Sequence, residues 1–501
     1  MMKEKEMKFK AIIVLSSILV LLFLHASLCA QSFNISPQAY DDDGFEFMRV
    51  LGSTSNGVYV LQSNISLDKG YNRLGFKLRK SRVVFFNFDA KEKWRLPIDI
   101  EFENSTLMGI ELFNNQLVLA YTQELKNDNY RINFHLINDK GKINKDTLHR
   151  LQVTLADSRA IDRILLTRSS GNNYFVVSLQ AFERSNQTFH FYVCDTGLQQ
   201  FSHHTIAIGL DESHYIPDAF DVSNFGDVVL TGVESQNKRI RDDRMNDSAK
   251  YVLHISPAGG DNSIAYEFVA ASKVIHEASV TFDNKNRQVV VVGLYVESTG
   301  ESASGVALGR FSVTTPAPVQ ITCARYIENP LAARSREEGI GQFTIDKIIL
   351  RNDGGALLIA ENFFKEEFQY YDYFTQTFQH RFEYHYDNVA IVSINKDGSI
   401  DWARKVKKEQ NSTNDGGVYL SYATANSFGK IMIYYNRDWV RNNEVIGATI
   451  NNIGELADTD VFRGIDKVLI LPRESKQVSI DQVAVPIIEK KKLKLAIVTF
   501  E

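Results

Sequence analysis

The apolar positions of this chain fall in short bursts. RVVFFNFD (82–89), QLVLAYTQ (116–123), YFVVSLQA (174–181), DVVLTGVE (227–234), QVVVVGLYV (288–296), VAIVSIN (389–395) and LKLAIVTF (493–500) are rich in β-branched and aromatic residues and are bounded by Gly, Asn, Asp or Lys. Such runs read as strands. Helical 3.6-residue periodicity is nearly absent after residue 31. The pattern therefore predicts an all-β chain.

The strands recur in a fixed order. A polar turn precedes a strongly apolar strand; a variable loop, a third strand, a second tight turn and a more polar fourth strand follow. The turns after the third strands align as NFDAKEKW (87–94), INDKGKI (137–143), CDTGLQQ (194–200), ISPAGGD (255–261), INKDGSIDW (394–402) and INNIGEL (450–456). Gly141 to Gly197 and Gly398 to Gly454 are each 56 residues apart. Four strands at a period near 50 residues predict the blades of a β-propeller. They fall at about 45–98, 107–152, 161–209, 216–270, 276–327, 344–408, 417–464 and 465–501. Only three strands are evident in the last. SFNISPQAY (32–40) is expected to supply its fourth and so remove the open sheet edge. Eight four-stranded blades are expected, with seven as the alternative count.

Asn87, Asp89 and Trp94 share their spacing with Asn395, Asp397 and Trp402. Both sets resemble the Asp box of sialidase propellers. Their expected role is structural: Asp accepts hydrogen bonds from turn N–H groups, and Trp packs between blades.

The first thirty residues carry Lys3, Lys5, Lys8 and Lys10, then an apolar run from Ala11 to Leu24, then HASLCA. This is the three-part pattern of a secretory signal peptide, too short for a membrane helix, with cleavage expected after Ala30. Cys29 raises the alternative of a lipid anchor, against which stands Leu28 where a small residue is wanted. Residues 31–501 are then one exported propeller of the periplasm, outer membrane or cell surface, without a transmembrane segment. Losing the segment's net +2 takes the formal charge from −5 to about −7, which offers no footprint for nucleic acid. Cys194 and Cys323 lie on different expected blades and are expected to be free thiols.

Residues 353–438 add a closer likeness. DGGALLIAENFF, an aromatic tract, DNVAIVSINKDGSIDWARKVKKEQNSTNDGGVYLSYA and KIMIYYNRD resemble a family of uncharacterised exported proteins of the Bacteroidetes. The matching positions are Glu361, Trp402, Lys408, Gln410, Asn414, Asp415, Gly416, Gly417, Ser421 and Tyr422. Asp387-Asn388 inverts the family's Asn-Asp order, and Asn436-Arg437-Asp438 lengthens its last turn by one residue. The resemblance implies an exported propeller-like protein and carries no activity with it.

Between Phe363 and Tyr386, 11 of 24 residues are Phe or Tyr, which predicts a protruding aromatic hairpin inserted at about 361–388. Rigid aromatics give contact area at low entropic cost, so Tyr370, Tyr371, Tyr373, Tyr384 and Tyr386 are candidate contacts for an envelope protein or glycan. The alternative is self-packing. Loop 407–417 adds Lys408, Gln410, Asn414 and Asp415 as candidate donors and acceptors, set against a role in local turns.

No catalytic residue is assigned, because GxSxG, HExxH and GxxxxGK[ST] are all absent. No metal site or cofactor is expected. His190 and Cys194 are ~13 Å apart along one strand, and NKDGSID lacks the acidic first and twelfth positions of an EF-hand. The sequence thus predicts a non-catalytic binding or scaffold protein. A glycan-active enzyme using the propeller channel is the alternative.

Overall fold

The computed structural model describes residues 32–37, 47–63, 81–98, 105–125, 129–154, 161–183, 186–235, 249–259, 263–269, 273–296, 303–315, 318–326, 343–372, 376–438, 444–462, 468–490 and 492–500. The expected signal segment 1–30 lies outside them. The described strands form eight antiparallel sheets, each built on four strands in up-and-down order; two carry a short fifth strand, Asn411–Thr413 and Lys476–Gln477. The first blade is Phe47–Thr54, Gly57–Ser63, Ser81–Phe86 and Glu92–Ile98; the next six span 105–154, 161–207, 215–267, 274–325, 343–406 and 423–460. The eighth runs Val468–Ile470, Gln482–Glu489 and Lys492–Thr499, and Ser32–Ile35 adds its outermost strand. Ser32 pairs with Thr499 and Ile35 with Ala496. The fold is an eight-bladed β-propeller; the alternative count of seven falls. The seventh blade begins at Ala423, because 417–422 belongs to the connecting loop.

Side-chain alternation explains the apolar runs. Middle strands lie between two neighbouring blades, so both faces are buried. In Ser81–Phe86, Val84 and Phe86 join the core shared with the eighth blade, and Val83 and Phe85 join the core shared with the second. In Gln288–Val296, Val289 and Val291 face the fourth blade, and Val290, Val292 and Leu294 face the sixth. Eight apolar clusters each draw on two consecutive blades, and the cluster joining the eighth to the first closes the ring. The outermost strands are covered on one side only, hence the alternating exposure of Glu92–Ile98.

The turns after the third strands share one geometry. In five of them the first residue donates its N–H to the fifth carbonyl and accepts from the fourth N–H: Asn87, Asn138, Asp195, Asn395 and Asn451. The fourth residue is left-handed in each: Ala90, Gly141, Leu198, Gly398 and Gly454. In the third blade this residue is Leu198, one beyond the aligned Gly197. The first side chain stabilises the turn: Asn138 Oδ1 accepts from Lys140 and Lys142 N–H, and Asp195 Oδ1 from Gly197 and Gln199 N–H. Asp397 Oδ1 accepts from the Ser399 N–H at 2.9 Å. In the first blade Asn87 Oδ1 accepts from the Lys91 N–H instead, and Asp89 accepts from the Asn87 side chain.

The two tryptophans tie blades together. Trp94 Nε1 donates to the Asp139 carbonyl at 2.8 Å, and Trp402 Nε1 donates to the Asn452 carbonyl at 3.1 Å. Each indole covers the left-handed glycine of the next blade's turn, where an added Cβ would sit 2.5 Å from Trp94 at Gly141 and 2.8 Å from Trp402 at Gly454. Cys194 and Cys323 are free thiols.

Candidate functional site: an aromatic arm and its anchor

The second and third strands of the sixth blade, Ala356–Asp372 and Thr377–Ile394, continue past the sheet as one ribbon. A register shift between Glu361 and Phe363 marks where it leaves the blade, and pairing runs unbroken from Phe363–Tyr386 to Asp372–Thr377. Ten residue pairs extend it by roughly 30 Å. It rises from the face bearing the loops between second and third strands, opposite the tight turns.

Large apolar surface is exposed toward its tip. Phe368, Tyr370, Tyr371 and Phe378 are 46%, 51%, 41% and 64% exposed. Phe368 and Tyr370 lie on one ribbon face, and Tyr371 meets Phe378 edge-on at 5.3 Å on the other. Lys365 stands 4.0 Å over the Phe382 ring, and His380 Nδ1 is 2.6 Å from Glu367. Tyr373 lies outside the described residues.

The base is built differently. Tyr386 is buried beneath Arg473, whose guanidinium lies 4.4 Å from its ring, and beside Phe363 at 4.5 Å. Its neighbour Gly417 is left-handed and has no room for a Cβ. Tyr384 is half-buried, and burial raises its hydroxyl pKa.

Of the four loop residues, Lys408 and Gln410 are buried, Asp415 is half-buried and Asn414 is exposed. Lys408 is buried; its Nζ is 2.6 Å from Glu361 Oε1 and donates to the Tyr386 carbonyl and Gln410 Oε1. Burial lowers the Lys408 pKa, with Glu361 opposing. Gln410 Oε1 also accepts from the Ser421 N–H, and its Nε2 donates to the Asn436 carbonyl. Ser421 Oγ donates to Glu361 Oε2, and Asn436 bridges the Tyr419 and Ile470 backbones. This buried network joins the sixth, seventh and eighth blades. Asn414, left-handed, brackets Phe382 through backbone and side chain. Asp415 accepts from Ser412 Oγ and the Gly417 N–H. Strand Asn411–Thr413 pairs with Glu383–His385 and thickens the ribbon's foot. Lys408 and Gln410 are therefore enclosed in the arm's anchor and not on the expected binding surface, while Asn414, exposed, and Asp415, half-buried, brace its foot and keep access to solvent. Of the tyrosines, Tyr370 and Tyr371 face solvent; Tyr386 belongs to the anchor.

Sequence spacing gave no sign of a second polar cluster, around the propeller axis. Arg49, Glu111 and Arg168 come from the innermost strands of the first three blades. Glu474 and Lys476 come from the eighth, where a 3-10 turn, Pro472–Glu474, interrupts the inner strand. Arg49 Nε is 2.5 Å from Glu474 Oε2, and Lys476 Nζ donates to the Leu51 carbonyl. Burial holds the Glu111 carboxyl above its usual range, against the pull of Lys476, Arg168 and Arg49. Burial likewise raises Glu474, opposed by Arg49. Among the described residues no helix is long and apolar enough to cross a membrane.

No family model matches the chain, and no curated protein matches it. Solved structures do. Prolyl oligopeptidase B from Galerina marginata aligns at 11% identity and a TM-score of 0.40, over 91% of this chain and 56% of that one. This chain thus spans little more than half of that enzyme. The WD40 domain of SCAP from fission yeast aligns at 10% identity and a TM-score of 0.37, over 94% of this chain and 98% of that one. The Bombyx mori GH32 β-fructofuranosidase BmSUC1 aligns at 11% identity and a TM-score of 0.26. These are likenesses of fold alone.

Proposed function

We propose that the protein is an exported, non-catalytic propeller of the cell envelope that holds a partner, protein or glycan, with its aromatic arm. One observation carries this reading: four large aromatics stand exposed on a ribbon whose base is locked by a buried ion pair and a three-blade hydrogen-bond network. A two-stranded ribbon is marginal by itself. Fixing its foot while leaving its rings in water favours a surface kept ready for contact. Export rests on the N-terminal Lys-rich and apolar pattern. A second reading, a glycan-active enzyme of the channel, draws on Glu111 and Glu474, whose carboxyl pKa values burial raises, the direction that suits a general acid.

The test replaces residues 368–381 with a two-residue Asn-Gly turn between Glu367 and Phe382, which are paired in the ribbon. That leaves Tyr386 and the anchor in place. Intact and shortened proteins are compared for unfolding midpoint and for binding to a glycan array and purified envelope proteins. Equal midpoints with binding lost in the shortened form are expected. Equal binding by both forms overturns the arm, and glycan hydrolysis abolished by Glu111→Gln replaces the binding reading with the enzymatic one.

A further inference from the structure

The arm's foot brings together three side chains that no short sequence spacing links. Glu366 and Glu383 are directly opposed in the ribbon ladder, and His385 lies two residues beyond Glu383 on the same face. His385 Nε2 is 3.5 Å from Glu366 Oε2 and 3.8 Å from Glu383 Oε2. The three ligand atoms lie within 4.8 Å of one another. These gaps are too long for hydrogen bonds, and Nε2 is closed off from water without a hydrogen-bond partner. The imidazole is held in plane by Phe364, stacked at 4.3 Å and 6°.

Directly opposed like charges weaken a strand pair, so a cation held between these two carboxylates stabilises the rung. Arg381 contacts Glu383 through Oε1, leaving Oε2 turned toward His385. The pairing of Asn411 with His385 and of Thr413 with Glu383 adds two small polar residues beside the cluster. One imidazole nitrogen and two carboxylate oxygens suit a divalent transition metal of the zinc class, at about 2.0–2.2 Å from each ligand. Closing to that distance asks only for small rotations of two glutamates that are partly in solvent.

We propose that Glu366, Glu383 and His385 form a divalent transition-metal site at the foot of the arm. Three protein ligands leave a coordination position open to water or to a donor from outside the chain. A bound ion also pins the two ribbon strands at the rung where the third strand, Asn411–Thr413, attaches.

The test is calorimetric titration of zinc chloride into the full chain, first stripped with chelator and desalted. One zinc per chain with micromolar or tighter affinity is expected. Glu366→Gln with Glu383→Gln keeps side-chain shape and should weaken binding at least 30-fold, as should His385→Gln. His380→Gln, on the opposite ribbon face, should leave it unchanged. Zinc should raise the thermal midpoint of the wild-type protein and not that of the double Glu variant. The shortened arm described above keeps all three ligands and should bind zinc as the intact protein does, so partner binding and metal binding fail separately. Absence of zinc binding, binding unchanged in the ligand variants, or calcium bound as tightly as zinc overturns the assignment.

Discussion

A histidine buried in an apolar interface resists protonation, and three do so here: His190 on the face of the third blade toward the second, and His204 and His254 between the third and fourth blades. His190, His204 and His254 are buried, and burial pushes each down to about 4. His204 spans the blade interface, its two ring nitrogens 2.8 Å from Ser202 and Ser256 hydroxyls. The unfolded chain takes up protons below about pH 6.5, while the native state resists until about 4. The unfolded state therefore binds more protons in that window, and stability falls as pH drops through it. Each histidine accounts for about 3 kcal/mol at most. Urea midpoints measured from pH 7.5 to 4.5 should decline, and more gently in His254→Gln, which cannot titrate. Equal slopes in the two proteins refute this account. Lys408 shows a limit of sequence at this scale. A lysine in a polar loop reads as a solvated donor, and only tertiary structure supplies Glu361 and the carbonyls that bury it.

At the scale of elements, the blades were legible because turn chemistry and two-sided burial both write themselves into sequence. Asn138, Asp195 and Asn451 open their turns for a stated reason, side-chain acceptance of turn N–H groups. The arm was legible as a hairpin from alternation, yet its division into exposed tip and buried foot was not. Tyr370 and Tyr386 look alike in sequence, and what separates them is Arg473, which arrives from the eighth blade. The Glu366–Glu383–His385 cluster was invisible for a related reason: it depends on ribbon register, which composition does not set. The tryptophan turns allow a sharp test. Gly454→Ala must adopt φ near +79°, costing about 1–2 kcal/mol, and its methyl overlaps the Trp402 indole. In a Trp402→Ala background only the conformational part remains. A double-mutant cycle by urea denaturation should give a coupling on the order of 1 kcal/mol. Additive effects would mean the indole does not rest on that glycine.

At the scale of the molecule, closure is the consequence of greatest reach. Seven blades are continuous in sequence, but the eighth is sewn from both ends of the described chain. Ser32–Ile35 lies along Lys492–Thr499, Ser36 exchanges hydrogen bonds with Leu495, and Phe33 and Ile35 pack on the core between the seventh and eighth blades. Without this strand, Lys492–Thr499 becomes an open edge beside an uncovered apolar cluster, a template for pairing with another chain. In a ring whose blades each lean on two neighbours, one opened seam weakens both interfaces of the eighth blade. A chain beginning at residue 38 should unfold at a clearly lower temperature than one beginning at residue 31, and should self-associate in size-exclusion chromatography with light scattering. A peptide of residues 31–37 added in excess should restore the midpoint and the monomer together, since it fills the same ladder. A truncated chain that remains monomeric and equally stable would show that the ring holds through its seven continuous blades and that the first strand is only a cover.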